Sequence, residues 1–175
     1  DVQQYLLHSL ATAGLAKQLA LKMDDVDPMD CFIGGLLHDF GKVVFAQFMP
    51  QEFRRALQHC QSNNVPLHVA LQDAIGTDHF VVGAMLVEKW RFAPKLIETI
   101  RYQHPSNFKD TEMIACVFGG NQISKKLKFG FGGNTSVDEF PASVQKRLGG
   151  TLDEVIASMG DLNPLFEEAK LFAKL

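Results

Sequence analysis

Apolar residues recur every third or fourth position along most of the chain, the interval that lines one face of an α-helix. Leu7, Ala11, Leu15 and Leu19 form the first such stripe and predict a helix over residues 2–22. Asp27-Pro28-Met29-Asp30 then reads as an N-cap, a proline at the first helical position and an acid at the third. The helix it opens carries Phe32, Ile33, Leu36 and Leu37 toward His38 and Asp39, with Gly41 placed to end it or to allow a tight turn. Further helices are predicted over 42–48, 51–62, 66–75, 78–90, 94–104 and 111–127, most of them opened by a proline or a capping side chain. The stretch KFGFGGN, 128–134, interrupts the pattern with three glycines. No strand precedes it, so it is neither a P-loop nor a dinucleotide fingerprint. Helices resume over 151–159 and 164–175. The pattern therefore predicts an all-α, multi-helix globule without internal repeats.

Composition narrows this picture without changing it. With 175 residues, 46% of them apolar, the chain suits one domain, 1–175, with a sizeable core. Seventeen basic against twenty acidic side chains leave a net charge of −3, which argues against a broad nucleic-acid-binding face. Lys125, Lys126 and Lys128 concentrate positive charge locally, a patch for nucleic acid or an acidic partner or, far more commonly, a solvated helix end. Cys31, Cys60 and Cys116 form no CxxC unit and sit in mostly apolar runs, the placement of buried free thiols in a reducing, cytoplasmic setting. No run is long enough to span a bilayer and no signal peptide is visible, so a membrane partner is not expected. The start at Asp1, already in helical pattern, fits a processed chain or a piece of a longer one.

Candidate chemistry collects on the histidines. His38 and Asp39 close an apolar helix; adjacent helical residues point about 100° apart, so both reach one point only above the helix end. An ion there accepts an imidazole nitrogen and a carboxylate oxygen, whereas the plain alternative is a helix-end histidine beside a turn-forming aspartate. His8 shares a helical side with Ala11, Thr12 and Leu15 and turns inward. His79 runs along Val82, Gly83, Leu86 and Trp90, where Gly83 leaves room for another helix or a ligand. His104 ends a helix before Pro105, and Asn121 lies on the stripe of Ile114, Val117 and Phe118, where a buried amide needs polar company. Five inward-tending polar residues on separate helices predict a shared polar pocket. Lys42 is placed to meet a phosphate as a point charge, or to serve solubility at the rim. His59 and His68 read as surface residues.

These stretches resemble the HD superfamily, and most closely its HDOD branch, the HD-related output domains of bacterial signalling proteins. The likeness runs through LHSLATAGLAKQLA, FIGGLLHDFGKVVF, IGTDHFVVGAMLVEKW, IETIRYQHPSN and IACVFGGNQIS, about residues 5–126, and more weakly through the helical tail. GLLHDFGK followed by DHFVVGAMLVEKW is the specific pairing. The resemblance implies an HD-like helical fold and a metal set of His8, His38, Asp39 and Asn121, with His79 and His104 matching ligands of a second metal in relatives that hydrolyse cyclic diguanylate. Asn121 stands where those enzymes have aspartate, and Gln103-His104 where they have a His-His pair; PSNFKD does not continue into their glycine- and tyrosine-rich motif. A neutral amide binds a divalent cation more weakly than a carboxylate and helps less in poising a water.

Two functions compete on these terms. The first is a non-catalytic signalling module, working with other signalling domains or proteins, its pocket a degenerate metal site. The second is a metal-dependent phosphohydrolase for a nucleotide or cyclic dinucleotide. There iron or manganese would sit on His8, His38 and Asp39, a second ion on His79 and His104, and Lys42 would steady phosphate. The missing carboxylate favours the first.

Overall fold

The computed structural model describes residues 1–174. Their order is α1 (Val2–Ala20), α2 (Pro28–Leu37), α3 (Phe40–Phe48), α4 (Pro50–Asn63), α5 (Leu67–Ile75), α6 (His79–Lys89), α7 (Pro94–Tyr102), α8 (Glu112–Lys126), α9 (Ala142–Leu148), α10 (Leu152–Ser158) and α11 (Asn163–Ala173). A single 3₁₀ turn, Pro105–Asn107, joins α7 to α8. There is no strand among the described residues, so the all-α expectation holds. The last residue of the predicted 164–175 helix, Leu175, lies outside them.

The starts of the helices follow from their caps. Asp27 accepts hydrogen bonds from the backbone N–H groups of Met29 and Asp30, with Pro28 behind it. Asp78 does the same for Phe80 and Val81 at α6, and Thr111 for Ile114 at α8. Thr151 and Glu154 form a reciprocal capping box at α10. The short α9 has no counterpart in the hydrophobic pattern, because Val144 is its one buried residue. Gly149, at φ +85°, ends it in the left-handed conformation.

Two helices set the interior. α1 is buried along Ala11–Ala13, Leu15, Ala16, Leu19 and Ala20, and α8 is buried at every position from Met113 to Ser124. A helix buried all round must carry its polar residues inward, and α8 brings Asn121, Gln122 and Ser124 with it. Small residues let these helices approach closely. A Cβ on Gly35 of α2 would lie 2.7 Å from Ala13 Cα, and one on Gly120 of α8 would lie 2.8 Å from Thr12 O. α1 is thus wedged between α2 and α8. One apolar cluster surrounds that wedge and extends to Val144, Val155 and Phe166; a smaller one joins Phe45, Ala56, Leu67 and Leu71 across α3–α5. All three cysteines are buried and free, and Cys116 Sγ lies 3.5 Å from Met23 Sδ. No helix among the described residues is long and apolar enough to cross a membrane.

Candidate functional site

The site begins where α2 hands over to α3. His38 follows the last residue of α2 and Asp39 precedes the first of α3, so both project from the same break in the helix. The wedge of α1 sets His8 beside them, its ring centroid 5.3 Å from that of His38. His79 arrives from α6, because Gly41 of α3 meets α6 backbone to backbone: a Cβ on Gly41 would overlap His79 O and come within 2.9 Å of Gly83 N. The space beside His79 at Gly83 is therefore filled by close helix packing.

Hydrogen bonds fix how the imidazoles face. His38 Nδ1 lies 2.7 Å from the carbonyl oxygen of Gly35 and must donate to it. The Ser124 hydroxyl donates to Phe129 O at 3.0 Å, so His8 Nδ1, 3.1 Å away, donates to that hydroxyl. Both rings then turn Nε2 toward Asp39, at 3.3 Å for His38 and 3.9 Å for His8, and the neutral His8 ring presents it bare. Neither Nε2 has a hydrogen-bond partner, although both are buried. On the far side of the carboxylate, His79 Nε2 lies 3.5 Å from Asp39 Oδ1. Lys42, one turn along α3, turns inward with its Nζ 2.5 Å from Asp39 Oδ2, and donates also to Gly132 O.

Electrostatics follow from burial and these neighbours. Burial, then His38, holds the His8 pKa down at about 3, so the ring is neutral near pH 7. Burial, then Lys42, pushes His79 well below its ordinary value. Burial is also the largest influence on Asp39 and alone would raise it. His38, Lys42 and His79 outweigh burial and keep the carboxyl well below the usual carboxylate range. Lys42 is the ammonium that balances it.

The donor atoms of His8, His38 and Asp39 all lie within 4.8 Å of one another. Two imidazole lone pairs and a carboxylate oxygen, with the opposite ring nitrogens anchored on a carbonyl and a hydroxyl, fit a borderline transition ion in type and spacing. Those three residues would hold it, and such an ion would supply Lewis acidity toward a bound phosphate or water.

A cavity of about 310 Å³ opens outward from Asp39 and Lys42. Asn121 lies on its wall, 8% exposed, with Oδ1 unpartnered. His104 stands at the rim, its Nδ1 accepting from the Ser106 N–H and hydroxyl across the 3₁₀ turn. Its ring packs on His68, centroids 3.6 Å apart. Burial, then His68, lowers His104 to about 4. Lys125 shares the rim and is lowered to about 8, by burial and then by Lys42.

Of the residues singled out from sequence, His8, His38, Asp39 and His79 converge, Lys42 joins them facing inward, and Asn121 and His104 line the outer cavity. Sequence reasoning missed four others. His68 is half-buried at the rim, where polar neighbours in sequence had suggested open surface. Gln103 is buried and donates to His38 O at 2.9 Å, bracing the helix break. Ser124 sits one turn beyond Asn121, a spacing that marked it for the same face. Gly132 lies in the glycine stretch that had no assigned role.

A family model for the HDOD domain matches residues 1–106. An uncharacterized protein of Treponema pallidum is 31% identical over 138 residues, which cover 75% of this chain and 25% of that protein. Three solved structures share the fold. An HDOD domain protein of unknown function from Geobacter sulfurreducens superposes with a TM-score of 0.78 at 24% identity, over 99% of this chain and 62% of that one. A candidate phosphohydrolase from Shewanella amazonensis gives 0.72 at 17% identity, over 97% and 63%. A candidate signal transduction protein from Marinobacter aquaeolei gives 0.78 at 21%, over 99% and 38%. The chain thus spans a quarter of the Treponema protein's length and less than two thirds of each of these structures.

Proposed function

The chain belongs to the HDOD domain family, and from that premise we propose that it is a regulatory interaction module of a signalling system, without phosphohydrolase turnover of its own. One observation carries the reading: Lys42 Nζ rests 2.5 Å from Asp39 Oδ2, inside the site and only 6% exposed. The carboxylate that would bind and share an ion is already neutralised by the chain's own ammonium. The lysine that would steady a phosphate is committed to that carboxylate and to Gly132 O at the inner wall of the cavity. Asn121 adds no charge to make up the difference.

The reading takes residues 1–174 as one working unit, because α8, beyond the family match, supplies Asn121 to the cavity and Ser124 to His8. Its partners are other signalling domains or proteins, and the three buried thiols support a cytoplasmic setting. The name of the Marinobacter neighbour accords with this role.

A second reading has a specific observation behind it. The His8–His38–Asp39 donors fit a transition ion, and the Shewanella neighbour is named as a candidate phosphohydrolase. With iron or manganese bound there, a nucleotide or cyclic dinucleotide would be the substrate. Assay of the purified chain against cyclic diguanylate and a generic phosphodiester, with manganese(II) or iron(II) added, decides between the two. The regulatory reading expects no hydrolysis above buffer. Turnover that disappears in His38→Ala would replace it with the enzyme.

A further inference from the structure

The glycine stretch between α8 and α9 lies directly over His8 Nε2 and the Asp39 carboxylate. Its path is pinned at three places. Phe129 N donates to Ser124 O at 2.9 Å and the Phe129 ring stacks on Phe166 of α11, centroids 3.5 Å apart. Phe131 N donates to Gln4 O of α1 at 2.9 Å. Gly132 O accepts from Lys42 Nζ. A Cβ on Gly132 would lie 2.9 Å from His8 Nε2 and 3.1 Å from Asp39 Oδ2, so the bare backbone rests against two of the three donor atoms.

The cluster beneath is electrostatically incomplete. His8 Nε2, His38 Nε2 and an Asp39 oxygen face one another, neither ring nitrogen has a hydrogen-bond partner, and of the three Lys42 reaches only the carboxylate. Buried lone pairs without a donor are costly, and a divalent ion is the group that satisfies all three together. The same lysine that occupies the carboxylate also holds the loop down.

We propose that the loop 128–134 is a built-in plug of the His8–His38–Asp39 cluster, fastened by Lys42, and that its displacement opens the cluster to a divalent transition ion. The proposal rests on the regulatory reading of the resting domain and gives that domain two states, closed and ion-loaded. Glycine at 132 is required for the closed state, since any side chain there meets the His8 ring. The outer face of the plug is open to solvent at Lys128 and Phe131, while its inner face packs on α1, where a Cβ on Gly130 would lie 2.6 Å from Gln4 O.

The test uses the whole chain, purified without metal-chelating resin and titrated with cobalt(II), whose visible absorption reports the ion. Amide exchange at Phe131 reports the plug. In Gly132→Val, Lys42 is kept while the new side chain lifts the loop. Cobalt(II) affinity should rise roughly 10- to 100-fold, with exchange at Phe131 speeding up by about as much. Adding His38→Ala should erase the gain. The plug is overturned if exchange rises with affinity unchanged, if neither moves, or if the gain survives loss of His38. Should Gly132→Val fail to fold, Lys42→Met decides. Higher affinity together with faster exchange supports the plug, and higher affinity with unchanged exchange assigns the effect to charge alone and refutes it. Hydrolysis by the unaltered chain is a separate result, counting against the regulatory reading without touching these two readouts.

Discussion

At the inner end of the cavity, His8, His38, Asp39, Lys42 and His79 are each at most 6% exposed, and Asp39 gathers all the others around one carboxylate. At its outer end, His68, His104 and Lys125 are half-buried, and none of them enters an ion pair among the described residues. The side chains are of the same kinds. What separates them is that removing an inner member strands its partners away from water, whereas an outer one leaves solvent to take its place. The inner group therefore carries structure, and the outer group is free to respond to whatever enters the cavity.

The sharpest way to break this contrast is Asp39→Asn, which leaves the Lys42 ammonium buried without its anion. It should cost about 3–5 kcal/mol in urea unfolding; a loss under about 1 kcal/mol would mean the inner cluster is no more than a wet surface pair.

Acid gives the next largest effect. The unfolded chain takes a proton on each imidazole near pH 6.5, while folded His8 resists until about pH 3. Its contribution is intact above pH 6.5 and is lost progressively as pH falls toward 3, amounting to about 2 kcal/mol by pH 5. His79, lowered in the same direction, adds to that loss. Asp39, held below the carboxylate range, adds its own only below about pH 4. Urea midpoints at pH 7.5 and 5 should show the drop; His104, itself lowered to about 4, adds a share damped by its half-exposure, so His104→Ala should trim the drop and leave most of it. An acid response that vanishes with His104 would invert the comparison.

The smallest effects separate brace from rim. Gln103→Ala removes the hydrogen bond to His38 O and should cost about 1 kcal/mol. His104→Ala should stay within about 0.5 kcal/mol. Equal costs for the two would erase the boundary drawn between them.

What could be read ahead of the coordinates divides along a similar line. α1, α2, α6 and α8 announce themselves through stripes and caps, since both signals are local. The inward placement of His8, His38, Asp39 and His79 was legible for the same reason: each lies on a predicted buried face or helix end. α9 was not, because seven residues with one buried side chain leave no period to detect. Lys42 was located but not oriented. A side chain one turn from Asp39 can point at it or at solvent, and the oxygen that decides, on Gly132, is 90 positions away. His68 and Gln103 fail on the same ground, their partners being supplied by other helices.

Separation along the chain has a further consequence, for the order in which the protein is made. His8 and Ser124 are 116 positions apart, and closing so long a loop is entropically slow compared with pairing neighbouring helices. A nascent chain that has released α1 to α3 from the ribosome already carries both imidazoles and the carboxylate, yet neither the hydroxyl that orients His8 nor the glycines that cover it. On the plug proposal, a partly synthesised chain is the form most open to capture by stray metal, and release of residues 128–134 is what first gives it a closed state.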